Sequence, residues 1–244
     1  DHQAMALCLA TDVNGNNRAG VRWLELRRPT GSTGAWTLYQ EGTYAPGTTL
    51  NRWMPAINID KYGNIMLAYS TSGSTAPDYP SIQMTGRKAC DPLGQMTLPE
   101  TMIKQGLSAR TSNTRWGDYH HMCIDDFDGL TFYYTGVVMN SNNNIVTNVS
   151  AFKMNPDSLD LAILDAYTTQ TGGICGASTQ IAIIVENRGV NAVNAFTVSS
   201  QVGTANPTSQ AFTSSSLGGY QAIDTIFFTV SGLQTGSNNV LLQL

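Results

Sequence analysis

The densest group of side chains able to do chemistry lies between Asp118 and Asp128, in the stretch RWGDYHHMCIDDFDGL that opens at Arg115. Asp118, His120, His121, Asp125, Asp126 and Asp128 combine imidazole with carboxylate, a donor set that suits Zn²⁺ or Mn²⁺; the carboxylates alone would suit Ca²⁺. Asp118, His120, Asp126 and Asp128 are the candidate ligands. On an extended strand His120 and His121 point to opposite faces, so both reach one ion only across a bulge. The D-x-[DN]-x-[DN]-G loop of an EF-hand is not met by these residues. A second reading makes Asp126-x-x-Gly129 a hairpin turn, with the carboxylate accepting backbone N–H bonds and glycine taking positive φ. Asp60-x-x-Gly63 repeats that turn earlier in the chain.

Other chemistries find less. The glutamates stand at 25, 41, 100 and 186, and none forms the placed carboxylate pair that glycoside hydrolysis needs. There is no G-x-S-x-G for a serine nucleophile and no G-x-x-x-x-G-K-[ST] phosphate loop. Trp36 and Trp116 are candidate stacking surfaces for sugar rings. Arg52-Trp53 and Arg115-Trp116 read either as such a platform or as packing, with Trp filling between repeats and Arg bonding to carbonyls of a neighbouring strand. Asn148-Val149-Ser150 fits N-x-[ST] but falls on a predicted strand. Cys8, Cys90, Cys123 and Cys175 are widely spaced without C-x-x-C, which disfavours zinc and leaves both disulfides and free thiols open.

The elements that position these residues repeat. RWMPAINIDKYGNIMLAYS from Arg52 and RWGDYHHMCIDDFDGLTFYY from Arg115 share an opening Arg-Trp, a short apolar strand, an acidic turn and an apolar strand ending in aromatics. Arg52, Trp53, Asp60 and Gly63 thus correspond to Arg115, Trp116, Asp126 and Gly129. Strands are predicted at 4–10, 21–27, 36–44, 56–60, 64–70, 81–87, 101–107, 119–125, 130–137 and 148–154. Gln105-Gly106 stands where Glu41-Gly42 stood. The strands fall into sets of three, four and three at a period of roughly 60–66 residues, the pattern of propeller blades. About three blades do not close a ring, so residues 1–154 are expected to be the C-terminal part of a longer polypeptide. After a linker at 155–159, strands at 160–167, 180–187, 195–200, 210–213, 220–230 and 239–244 predict a small β-sandwich. Gly172-Gly173, the Asn187-Arg188-Gly189 turn, Gly218-Gly219 and Gly236-Ser237 punctuate them.

Composition agrees with an all-β extracellular protein. Only 12% of residues are charged and the net charge is −4, with no basic cluster to bind nucleic acid. No apolar run reaches the length of a membrane-spanning helix.

The blocks AGVRWLELR, QEGTYAP, RWMPAINIDKYGNIMLAYS, YPSIQMTGR, DPLGQM and RWGDY resemble a family of large secreted β-propeller proteins of the Bacteroidetes type, often exported by type IX secretion. The segment LDLAILDAYTTQTGGICGASTQIAIIVENRGVNAV resembles a CARDB-type Ig-like module. His120-His121 depart from the small hydroxyl residues that tend to follow WGDY in that family. The resemblance implies a cell-surface or extracellular location and no defined enzymatic activity. It also makes Asp157-Ser158-Leu159 and Asp224-Thr225-Ile226 candidate O-glycosylation sites, at Ser158 and Thr225.

Together these readings predict a partial β-propeller plus an Ig-like sandwich, in a non-catalytic structural or adhesive protein that needs no cofactor. Its expected partners are the rest of its own polypeptide, surface glycans or further copies of itself. The alternatives are a glycan-binding module, or the accessory part of a secreted hydrolase with its active site upstream.

Overall fold

The computed structural model describes residues 2–47, 49–111, 115–169, 176–234 and 237–244. Every regular element among them is a β-strand, and the chain divides into two compact units, Asp1–Met154 and Asn155–Leu244. Among the described residues no helix is long and apolar enough to cross a membrane.

The first unit holds three antiparallel sheets in chain order. The first is β1 (His2–Asp12), β2 (Ala19–Pro29) and β3 (Thr37–Tyr44). The second is β4 (Asn51–Ile59), β5 (Ile65–Ser72), β6 (Ser81–Arg87) and β7 (Thr101–Lys104). The third is β8 (His121–Ile124), β9 (Phe132–Met139) and β10 (Ile145–Phe152), with β9 in the centre. Three, four and three strands is the grouping that the repeat predicts.

Strand β5 explains how the sheets stack. It is buried from Ile65 through Thr71, so it is covered on both faces and lacks the alternation of a half-exposed strand. Leu67 and Tyr69 pack with Val21 of β2, while Met66 and Ala68 pack with Met122, Phe132 and Tyr134 of the third sheet. Cys8 and Tyr44 lie against the Leu67 side. Burial pushes the Cys8 thiol up to about 12. Cys90 and Cys123 are exposed free thiols; Cys175 and Gly172-Gly173 lie outside the described residues, as does Gly236.

Among the described residues the outer face of the first sheet has no such cover. Register places Met5 opposite Leu26 and Leu26 opposite Leu38, with Leu7 opposite Leu24 and Leu9 opposite Arg22. Leu7, Leu9 and Leu38 are 42%, 50% and 53% exposed, whereas Val21 and Trp23 on the inner face are buried.

Gly42 and Gly106, the matched glycines, share a physical cause. A Cβ on Gly42 would lie less than 3.0 Å from the Gly94 carbonyl, and one on Gly106 less than 3.0 Å from the Pro80 carbonyl. Backbone crosses each glycine where a side chain would stand, and backbone cannot swing aside. Gly106→Ala is expected to destabilise the first unit by about 2–3 kcal/mol through overpacking, read as a lowered urea midpoint; Gly47→Ala, with open space around it, is the control.

The second unit has two three-stranded antiparallel sheets. One orders β11 (Leu161–Thr168), β12 (Ser178–Asn187) and β15 (Ala222–Ser231); the other orders β14 (Thr208–Thr213), β13 (Ala195–Val202) and β16 (Val240–Gln243). Ile181, Ile183 and Val185 of β12 and Ile226, Phe228 and Val230 of β15 form one core with Val198 of β13. Phe212 joins the two sheets, 5.8 Å from Phe196 and 6.1 Å from Phe228 between ring centres. The stretch read as a linker is tied into this unit: the Asp157, Ser158 and Asp160 carbonyls accept hydrogen bonds from Val190, Asn191, and both Arg188 and Gly189.

Candidate functional site

The predicted metal ligands do not converge. Asp118 pairs with Arg115. Asp128 accepts from the amides of Leu130 and Thr131 and the Thr131 hydroxyl, and pairs with Lys153 at 2.6 Å. Those hydrogen bonds, Lys153's foremost, hold its carboxyl far below the usual carboxylate range. Asp126 is exposed, and His121 is exposed at the start of β8. Among the described residues no three His, Cys, Asp or Glu side chains gather into a metal site.

The turn chemistry is divided differently from the sequence reading. Asp60 Oδ1 accepts from the Tyr62 and Asn64 amides at 2.9 Å each, and Gly63 takes φ of 87°. In the later copy Asp125, not Asp126, plays the opening part. Its Oδ1 accepts from the Phe127 amide at 2.8 Å and its carbonyl from Gly129, while Asp128 caps the far side. The two turns touch, the Lys61 amide donating to the Gly129 carbonyl at 2.9 Å.

His120 has an internal role. The Val137 amide donates to Nε2 at 3.1 Å, which leaves the proton on Nδ1, 3.2 Å from the Met54 carbonyl and 3.1 Å from the Tyr134 hydroxyl. The ring covers Gly117, where a Cβ would collide with it. Burial holds the imidazole below its ordinary value, against the opposing pull of Met54. The unfolded chain therefore takes up this proton first as pH falls. The His120 contribution is complete above about 6.5, the unfolded value, and is lost as pH falls below it toward the lowered folded value. The parent is expected to melt at a lower temperature at pH 5.5 than at pH 7.5, and His120→Gln should show a smaller difference between the two.

The repeated Arg-Trp pairs have diverged. Arg52 is fully buried and grips Glu100 through Nε and Nη2, both at 2.8 Å, rather than strand carbonyls alone. The Tyr69 hydroxyl donates to the same carboxylate at 2.6 Å, and the Gln83 amide, turned to donate, lies 2.9 and 3.1 Å from its oxygens. Burial would raise the Glu100 carboxyl, but the bonds from Arg52 and Tyr69 outweigh it and hold it below the ordinary value. Sequence reasoning missed Glu100, because nothing local to it signals a partner on β4. Arg115, the counterpart of Arg52, sits at the surface.

The tryptophans meet: Trp53 and Trp116 lie 5.6 Å apart, donating from Nε1 to Ser72 and Ser70 respectively. Trp116 is only 5% exposed, so its face cannot stack on a ligand. Trp36 is half-buried with the Arg28 guanidinium 4.5 Å above its ring. What the pair does do is line a cavity together. A cavity of about 330 Å³ runs along Trp53, Asp78, Tyr79 and Trp116. A second, of about 380 Å³, is lined by Trp116, Asp118 and Tyr119. Both share Arg110 and Trp116. Tyr119 is 87% exposed.

The candidate modification sites are also placed. Ser158 is exposed before β11, and Thr225 is exposed on β15. Asn148 lies on β10 with its amide donating to the Ser150 hydroxyl at 2.7 Å.

No protein-family profile matches the sequence, and no curated protein matches it. Among solved structures the chain aligns with an exo-beta-1,3-galactanase from Phanerochaete chrysosporium bound to galactose, at 11% identity and a TM-score of 0.22, over 99% of this chain and 64% of that one. A variant of that enzyme with beta-1,3-galactotriose aligns at 8% identity and a TM-score of 0.24, over 97% and 64%. The chain therefore spans less than two thirds of the galactanase chains.

Proposed function

We propose that this is a non-catalytic extracellular or cell-surface protein with a structural or adhesive role. In this reading residues 1–154 are the last blades of a β-propeller of the large secreted Bacteroidetes type, and residues 160–244 are a CARDB-type Ig-like module. The observation that carries it is the bare apolar outer face of the β1–β3 sheet. Strand β5 of the second sheet is covered on both faces, as an inner blade strand is by its neighbours. Leu7, Leu9 and Leu38 instead stand open to solvent on the outer face of the first sheet, beside the Arg22–Glu41 ion pair, and this reading takes them as an interaction surface. A further sheet of the same repeat, supplied by more of its own polypeptide, is the cover this reading assigns.

In this reading the glutamates serve the fold. Glu25 pairs with Arg27, Glu41 with Arg22, Glu100 with Arg52 and Glu186 with Arg188, so each is committed to a guanidinium.

The test is intact mass and peptide mapping of the native protein recovered by fractionating the producing cells. The expected result is an extracellular or surface species whose peptides include further blade sequence, with hexose mass on the Ser158 peptide. A cytoplasmic species without added sugar, whose mass equals this chain alone, would overturn it.

A further inference from the structure

We propose that His120 is a proton-operated clasp at one end of the seam between the second and third sheets, closed at neutral pH and open in acid.

The clasp is built for a neutral ring. The Val137 amide of β9 donates to Nε2 at 3.1 Å, so that nitrogen must offer a lone pair. Nδ1 lies 3.2 Å from the Met54 carbonyl of β4 and 3.1 Å from the Tyr134 hydroxyl of β9. One imidazole therefore ties β4 to β9. A proton on Nε2 would set one N–H against another, and the bond to Val137 would be lost.

The surroundings do not balance a second proton. Tyr134 is the titratable group in hydrogen-bond contact with the ring, and burial raises its hydroxyl above the ordinary value. Arg110, Arg115 and Asp118 line the cavity that His120 borders, and Asp118 is paired with Arg115. On β4 the buried Arg52 grips Glu100, and on β8 His121 is exposed. Among the described residues no carboxylate bonds to the His120 ring.

The clasp also holds a strained backbone. Met54 takes φ of 47°, a conformation that side chains disfavour, where the β4–β5 register shifts between Trp53 and Ala56. Its carbonyl is held by the ring. Opening the clasp frees Met54 to relax.

Other bonds between the two sheets carry no group that titrates between about pH 5 and 8. The Asn58 side-chain amide donates to the Met122 carbonyl at 3.1 Å, and the Lys61 amide to the Gly129 carbonyl at 2.9 Å. Acid therefore opens the Met54 end of the seam and leaves the Lys61 end closed.

The test is amide hydrogen exchange of the full chain at pH 7.5 and 5.5, corrected for the chemical rate at each pH. Peptides covering 51–57 and 133–139 are expected to lose protection about 10-fold at the lower pH, the scale of one lost hydrogen bond. Peptides covering 58–64 and the second unit should keep theirs. His120→Gln should abolish the pH dependence, and His121→Gln should retain it. Should His120→Gln fail to fold, NMR titration of the parent decides: the Val137 amide and the His120 ring must titrate together. The inference falls if protection is equal at the two pH values, if it is lost evenly along the seam, if His120→Gln keeps the pH dependence, or if Val137 does not follow the ring.

Discussion

Arg52→Met is expected to destabilise the first unit by about 3–5 kcal/mol, the cost of removing one partner from a buried ion pair. Arg52 is fully buried, and its two bonds to Glu100 are bidentate, the strong geometry for guanidinium and carboxylate. Methionine fills most of the volume, so the loss is electrostatic rather than a cavity. What remains is a carboxylate facing Tyr69 and Gln83 without a cation, and Glu100 is only partly open to water. Adding Glu100→Gln should restore much of the loss, because a neutral amide no longer requires the guanidinium. The double-mutant cycle would show strong coupling, whereas independent sites add. Urea unfolding of the four proteins reads this directly. If the two single changes simply add, the pair is not a unit.

Asn187→Leu should cost the second unit about 3 kcal/mol, from buried polar groups left without partners. Asn187 is fully buried at the end of β12. Its Nδ2 donates to the carbonyls of Asn191 and Leu217 at 2.8 and 3.1 Å, and its Oδ1 accepts from the Gly189 amide at 2.9 Å. One side chain therefore closes the turn after β12 and fastens it to the loop before β15. Asn187→Asp keeps the shape but turns an acceptor toward both carbonyls, so it should lose at least as much. Thermal melts of both variants decide; a parental melting temperature in Asn187→Asp would show that the hydrogen bonds do not hold the turn.

Much of this architecture is legible in the residues, because strands and turns are local. The apolar run of β5, the Asp60-x-x-Gly63 turn and the matched Gly42 and Gly106 all lie in short windows. What the windows hide is partnership. Glu100 is far along the chain from Arg52, so a glutamate set aside as uninvolved proves to anchor a buried cluster. Repeat alignment put Asp126 opposite Asp60, but the later copy has a longer turn and shares the task between Asp125 and Asp128. Trp116 looked like a ligand platform from its type; it is instead buried against Trp53 with its indole donating to Ser70.

The thiols have a practical consequence. Only thiolate reacts with alkylating agents, and Cys8 is held as thiol against the second sheet while Cys90 and Cys123 face solvent. Modification of Cys8 should therefore lag behind that of the exposed thiols, and the lag reports how firmly the first sheet holds against the second. Cys90 and Cys123, reacting at once in the same tube, mark the zero of that lag.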